Sequence, residues 1–475
     1  MSHTVVMGAS PAGLTTAYEL AKQQNVTVLE ANNAVGGLFR TETHEGCSID
    51  SVDGGFSTQD ESVQRLWDEW VGEESMEVEV RSLIHFHQRL FKYPLSATNA
   101  IKHLGPINIA LTGASYLRSW IEQQQTTTEE HNSEDWVSKR FGPYFNRLAL
   151  RPYFEKVWGM PSEQLAPSHA HLLLTSHSGK DNTLVRSLID AVINRPTKTV
   201  TYPATGFGQI WNNCKTSIEQ AGSTCKLNTQ AIKLEHNNNR ITQVIASAGE
   251  NIQTIPIDHL VSSLSLTELI TYLGAPDKIK NAAQNLHYRH QIQVALVLDV
   301  AELFDEQSIY INQPQVLVSR IQNFKNWSAK AVPNSSKTCL GLTYFCDETD
   351  VIWEMEPFDL VRLASQELVT LGLIENTSLI ESGRVVHQPS ALPIHTTQTH
   401  RHLAMVQNYL EGFKNLQTVG RQGLHRYAQL DSDLLSGRRA AENILYSRFE
   451  HPTYTRHNLW EVPSLPSTVE TPITF

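Results

Sequence analysis

Residues 5–14 read VVMGASPAGL, an apolar run followed by a turn with glycines at 8 and 13 and a serine at 10. Where a strand feeds a helix through such a turn, the first glycine makes the bend, the second lets backbone approach a pyrophosphate, and the third lets the helix pack on the strand. Gly8 and Gly13 fill the first and third places, Ser10 fills the second, and Ala12 belongs to the same candidate cradle. Serine adds only a hydroxymethyl group, and its hydroxyl can donate to a phosphate oxygen. Pro11 lacks an N–H but suits a helix start. The alternative is an ordinary strand-to-helix turn. Glu30 ends the next apolar run, roughly 20 residues on, where a carboxylate can accept hydrogen bonds from the ribose of an adenosine. A 2′-phosphate there would be repelled, and no arginine stands beside Glu30 to relieve it, so NADP is disfavoured.

Two more groups follow the same logic. EANNAVGGLFRT places Gly36, Gly37 and Arg40 after Glu30: a second glycine turn, with a guanidinium positioned to pair with pyrophosphate charge. A plain turn with a surface arginine is the alternative. Near the other end, TVGRQGLHRYAQLDSD (418–433) holds a Gly-Arg turn, an Arg-Tyr pair and an aspartate opening a helix. Asp431 is expected to cap that helix, whose N-terminus offers N–H groups and positive potential.

These motifs resemble the FAD-binding segments of the amine oxidase and protoporphyrinogen oxidase superfamily, and the C-terminal one resembles its UDP-galactopyranose mutase branch. The likeness runs in order through 134–165, 202–211, 260–269, 287–290 and 343–353, and covers about residues 4–448. It implies FAD as cofactor, with Gly37, Arg40, Gly420, Arg421, Tyr427 and Asp431 among its contacts. It also places Ala231, in LNTQAIKLE, against the adenine, and Arg426 and Tyr427 nearest the flavin ring. Two departures fall where substrate chemistry is decided. With Asp50 aligned on the family's aspartate, Gly54 stands where relatives carry a histidine, and a Tyr-Pro-x-Tyr segment reads LPIH, with Leu392 and His395 in the tyrosine places.

The resemblance implies a flavin-dependent oxidoreductase that removes hydride from a small organic molecule, at a C–H bond next to nitrogen or within a C–C unit to be desaturated. A redox-neutral mutase acting on a sugar nucleotide is the alternative, and a flavoprotein fold kept for binding is a third. His425 is a candidate proton carrier, because an unperturbed imidazole titrates near neutrality; a histidine without chemistry is the other reading. Tyr93, Arg151, Trp158 and Arg289 are candidates to line a substrate cavity, with packing or surface pairing as their alternative.

To bring residues 8 and 420 to one ligand, the chain must close on itself. TVVM (4–7), then Leu14, Ala17, Tyr18 and Ala21 at helical spacing, then VTVLE (26–30), make a βαβ unit. The fold class expected is α/β: a doubly wound, Rossmann-like FAD-binding domain interleaved with a substrate domain of helices and a mixed β-sheet. Its segments are 1–85, 196–280 and 391–450 for the cofactor, 86–195 as a helical cap, 281–390 as the substrate sheet, and 451–475 as an extended tail. Alternating segments over 225–263, with a turn at Asn237–Asn239, suggest a small meander; 291–300 and 336–346 read as strands of the second sheet, and EQQQTTTEEHNSE (122–134) as a solvated loop.

At 475 residues, 40% apolar and 18% charged, the chain has an ordinary globular composition. Its 38 basic against 49 acidic residues, a net charge of −11, include no basic tract, so nucleic acid is not an expected partner. Five scattered cysteines suggest neither a disulfide framework nor a metal site. No leader and no transmembrane run are read, and a cytoplasmic location is expected. Nothing in the sequence sets the oligomeric state, the electron acceptor or whether the flavin is covalently attached.

Overall fold

The computed structural model describes residues 2–93, 104–125, 130–174, 199–447 and 457–461. Strands His3–Met7, Asn25–Leu29, Thr224–Lys226, His259–Ser262 and Leu416–Thr418 form one sheet in which every neighbouring pair is parallel. Counted along the chain, its order is 5-4-1-2-3. The winding direction therefore reverses between His3–Met7 and His259–Ser262, and the carboxyl ends of those two strands form the crevice where such sheets bind ligands.

Side chains of a strand alternate between faces, and both faces of the central strand are buried. Val6 joins the core under helices Pro11–Ala21, Gly208–Gln220 and Leu430–Ser447. Val5 and Met7 join the opposite core, under an antiparallel meander of strands Gln230–Asn237, Arg240–Ala248 and Asn251–Pro256. The expected turn of that meander is real: Asn238 and Asn239 take positive φ, which asparagine tolerates better than most residues.

A second sheet of seven strands runs in the order Ile380–Ile394, His287–Leu298, Thr338–Cys346, Arg320–Asn323, Ser308–Asn312, Ser82–Phe86, Arg89–Tyr93. It is mixed, because Ser308–Asn312 and Ser82–Phe86 are parallel while the other pairs are antiparallel. Helix Pro357–Thr370 covers part of one face, and helices Ser133–Phe141 and Arg151–Trp158 build an aromatic cluster against the other.

Two segment boundaries need correction. Ser82–Phe86 crosses the cut at 85/86, and Arg89–Tyr93 belongs to the second sheet rather than to a helical cap. Ile380–Ile394 likewise crosses 390/391. Ser82–Phe86 and Arg89–Tyr93, at five residues each, are too short for a period to show, and Ile380–Ile394 runs on as one strand across the expected cut. Helix Pro106–Gln125 extends into the first residues of the expected loop 122–134, and helix Ser133–Phe141 starts in its last two. Of the tail, Leu459–Glu461 forms one helical turn; most of 451–475, and 175–198 of the helical segment, lie outside the described residues. Among the described residues no helix is long and apolar enough to cross a membrane.

Candidate functional site

Three turns meet at the crevice. Gly8, with φ of +91°, leans on Ser263, and a methyl group there would come 2.4 Å from the Ser263 hydroxyl oxygen. On Gly13 a methyl group would come 2.2 Å from the Gly8 carbonyl oxygen. The first and third glycines are thus required for the bend and for helix-on-strand contact. Ser10 is the N-cap of helix Pro11–Ala21, its hydroxyl oxygen accepting from the Gly13 N–H at 3.2 Å. A hydroxyl that accepts still has its hydrogen to donate. Pro11 has no N–H, so Ala12 is the first helical residue with one to offer a ligand.

The second glycine turn docks on the first. The Gly36 N–H donates to the Ala9 carbonyl at 2.8 Å, and a methyl group on Gly37 would lie 3.4 Å from the Ser10 α-carbon. Glu30 is buried, accepting from the Ala9 N–H at 2.8 Å on one oxygen and from the Asn32 N–H and side-chain amide at 2.9 and 2.7 Å on the other. A carboxylate offers about four acceptor positions, so one is left for a ribose hydroxyl. The Glu30 carbonyl accepts from Thr229 N–H at 2.8 Å, which brings Ala231, buried in the meander, to the same edge.

The third turn comes from the other end of the chain. On Gly420 (φ +77°) a methyl group would lie 3.0 Å from the Ala12 β-carbon and 3.9 Å from the Ser10 hydroxyl; on Gly423 it would lie 2.9 Å from the Ser262 carbonyl. Arg421 folds the turn around itself. Its Nε and Nη2 donate to the Ala428 carbonyl at 3.1 and 2.7 Å, and its guanidinium sits 4.9 Å from the Tyr427 ring centre. Burial lowers the pKa of Arg426, opposed by the nearby charge of Asp433. Helix Leu430–Ser447 begins one residue before Asp431, so that residue lies in the first turn instead of capping from outside; its carboxylate accepts from the Ser432 N–H at 2.6 Å. A carboxylate in that turn still meets the positive end of the helix.

The structure corrects four assignments. Arg40, expected to pair with pyrophosphate charge, has partners within the protein instead: its Nε pairs with Glu42 at 3.0 Å, and Nη1 donates to Gln388 of the second sheet at 2.9 Å. Arg151 is tied to Glu155 and Glu163 at 2.8 and 2.9 Å on a partly exposed helix face. Arg289 is a buried strut. It pairs with Asp347 at 2.6 Å, donates to the Val157 and Phe345 carbonyls, and lies so close to Gly159 that a methyl group there would reach 2.4 Å from its Nη1. His425 is fully buried, and burial together with the neighbouring His395 pushes its pKa down to about 3. It is neutral near pH 7 and does not titrate there as a proton carrier must. Trp158 is buried beside His169 and Tyr427, and Tyr93 packs edge-on to Tyr310 with ring centres 6.2 Å apart.

Beneath the loop that carries Gly54, the second sheet presents a polar ring that sequence reading missed. Arg320 donates to the Thr343 hydroxyl at 3.1 Å, Thr343 to Gln293 at 2.7 Å, Gln293 to Gln322 at 3.3 Å, and Gln322 to Asp53 at 3.3 Å. Asp53 returns to Arg320 at 4.0 Å and also accepts from Ser308 and Tyr310 at 2.6 and 3.1 Å. Gln291 and Gln322 donate to the Ser51 and Val52 carbonyls at 2.7 and 3.1 Å. The hydrogen bonds run in one sense from Arg320, which only donates, to Asp53, which only accepts, and the 4.0 Å ion pair closes the ring, so residues 51–53 are held in one arrangement. The only sequence signal was glutamine at 291 and 293 on one face of an otherwise apolar strand. Asp50, next to this loop, accepts from Thr41, Tyr202 and the Phe207 N–H; burial raises its pKa to about 6.

Comparison with known proteins agrees with this geometry. A sequence description of the flavin containing amine oxidoreductases matches residues 11–445. Among solved structures, a reduced UDP-galactopyranose mutase superposes with a TM-score of 0.82 at 20% identity, over 98% of this chain and 99% of that one. A putrescine oxidase bound to putrescine gives 0.61 at 13% identity, over 94% and 99%. A CLA-producing fatty acid isomerase from P. acnes gives 0.61 at 12%, over 94% and 98%. At these identities the structures establish the fold alone. A search of curated proteins finds no match.

Proposed function

The chain belongs to the flavin-containing amine oxidoreductase family, whose members are FAD-dependent enzymes, and from that premise we propose that it oxidises a small organic substrate by removing hydride, either beside a nitrogen or in a desaturation. The observation that carries this reading is the meeting of Gly8–Gly13, Gly36–Gly37 and Gly420 at the switch point, each packed too closely for a β-carbon on at least one member. Glycine turns of this kind are what lets backbone approach a pyrophosphate closely.

In this reading the Ser10 hydroxyl and the Ala12 N–H would hold the pyrophosphate, Glu30 would receive the ribose, and Ala231 would border the adenine. Gly420 and Arg421 would help hold the flavin, and the first turn of Leu430–Ser447 would lend it positive potential. When bound, the flavin supplies a two-electron acceptor for hydride. Arg426 and Tyr427 orient the ring, while Trp158, Tyr153 and Tyr427, all buried, keep water from the reacting carbon. Neutral His425 moves no proton in this scheme.

The test is oxygen uptake or dye reduction by the yellow protein on addition of amines and of unsaturated precursors. Turnover of a sugar nucleotide that begins only after dithionite reduction would replace this reading with the mutase one. The glycine at position 54, in place of a ring-side imidazole, weighs against that outcome.

A further inference from the structure

The C-terminal turn and the end of strand Ile380–Ile394 hold one another through two histidines. His395 Nε2 lies 2.6 Å from the carbonyl oxygen of His425, and His425 Nε2 lies 3.3 Å from the carbonyl oxygen of Ile394. A carbonyl can only accept, so both rings carry hydrogen on Nε2. The rings stack, with centres 5.3 Å apart and planes 14° from parallel. The His395 backbone N–H donates to His169 Nε2 at 2.6 Å, which leaves the His169 hydrogen on Nδ1. His169 packs on Trp158 at 4.2 Å, and Tyr288 closes the far side of His425 edge-on at 4.7 Å.

His425 has φ of +43°, in the left-handed region that residues with a β-carbon seldom adopt. Within the turn the Arg426 N–H donates to the Arg421 carbonyl at 2.9 Å and the His425 N–H to the Gln422 carbonyl at 3.2 Å, a helix end closed by a left-handed residue; the clasp adds a tether on the His425 side chain and carbonyl from strand Ile380–Ile394 and His395. We propose that His395 and His425 are positioning residues: their reciprocal hydrogen bonds hold the turn in this backbone conformation, so that the next two residues, Arg426 and Tyr427, stand at a fixed place beside the cofactor. Metal binding does not account for the cluster, since among the described residues no such group is placed to hold an ion and these rings stack rather than converge. Proton shuttling does not account for it either, because each Nε2–H is committed to a carbonyl. The inference deepens the flavoenzyme reading and rests on it.

Two variants of the FAD-loaded protein test it. His395→Phe keeps an aromatic ring and loses the donor; His395→Gln carries an amide N–H at about the reach of Nε2. The phenylalanine variant is expected to keep its far-ultraviolet circular dichroism, bind FAD about tenfold more weakly, as loss of one buried hydrogen bond implies, and show a shifted flavin absorption envelope. The glutamine variant is expected to restore both. A purely stabilising role would lower affinity without moving the spectrum. Wild-type spectrum and affinity in the phenylalanine variant overturn the proposal, as does a folded glutamine variant perturbed to the same degree. Should the phenylalanine variant not fold, the glutamine variant decides alone: an unshifted spectrum supports the clasp and a shifted one overturns it. These readouts need no substrate, so a failed oxidation assay leaves them intact, whereas a wild-type chain that takes up no FAD sinks the preceding reading first.

Discussion

Gly437 and Ala12 lie against each other so closely that a methyl group on Gly437 would come 2.2 Å from the Ala12 carbonyl oxygen. The Thr16 hydroxyl donates to the Gly437 carbonyl at 2.9 Å beside this contact. Residues more than four hundred positions apart thereby join two helices whose N-termini both face the crevice. Gly437→Ala is expected to cost about 2 kcal/mol or more, since the obstacle is backbone that cannot rotate away, and to lower flavin content with it. Gly113→Ala, at a half-buried helix position with open space where the methyl group would go, is expected to be neutral or to gain up to about 1 kcal/mol from helix propensity. Thermal melting of both variants checks the contrast.

Ser10 sits under Gly37 and within reach of Gly420. Ser10→Gly loses only an N-cap hydroxyl, a few tenths of a kcal/mol by the usual scale, and is expected to retain FAD. Ser10→Trp is expected to purify colourless, because an indole would occupy the space between the three turns. A tryptophan variant with a full flavin complement, measured by absorbance per protein, would place the cradle elsewhere.

Arg289 separates packing from substrate binding. Arg289→Met removes a buried guanidinium from Asp347 and two carbonyls, and is expected to destabilise the protein by about 3 kcal/mol while the flavin spectrum stays unchanged. Once a substrate is known, KM is expected to be unaffected. An altered KM with unaltered melting would return Arg289 to the substrate site.

Acid is expected to unfold this protein through its buried imidazoles. The folded pKa of His425 is pushed down to about 3 and that of His169 well below its usual value, both chiefly by burial. The unfolded chain therefore takes up protons that the folded chain refuses. Stability is complete above the unfolded pKa near 6.5 and falls as pH drops toward the folded values, by about 1.4 kcal/mol per pH unit for each such group. Asp50 opposes this between about pH 6 and 4, where its raised folded pKa makes the folded state the better proton acceptor. The buried Glu367 carboxyl, also raised by burial, opposes it too, while His85, His290, His387 and His395, all lowered chiefly by burial, add to His169 and His425, so the histidines outnumber the raised carboxyls six to two and leave a net loss. Melting temperatures across pH 4–8 for the wild type and His425→Gln test the sign: the variant is expected to show the shallower decline.

The glycine turns proposed to hold the cofactor were legible because their demands are local. Gly8, Gly13, Gly36 and Gly420 announce themselves, since only glycine tolerates the bends and approaches they make, and Glu30 follows at a distance set by one helix and one strand. The polar ring of Asp53, Arg320, Gln293 and Gln322 was not legible. Its members, with Thr343, come from the loop at 51–53 and three strands, and each strand residue alone reads as an ordinary polar position in a sheet.

His425 shows the division most clearly. Read in sequence, an imidazole between Gly-Arg and Arg-Tyr is a plausible acid or base, because its free pKa lies near neutrality. In the folded protein, His395, Ile394 and Tyr288 surround it and leave it neutral. Residue type and spacing determined the βαβ start, the glycine turns, the cofactor and the family, because these depend on backbone conformations that few side chains permit. Which guanidiniums are struts, which imidazoles titrate and which carboxylates are gripped was decided only by the tertiary structure, because burial and the arrival of partners from distant strands set those energies.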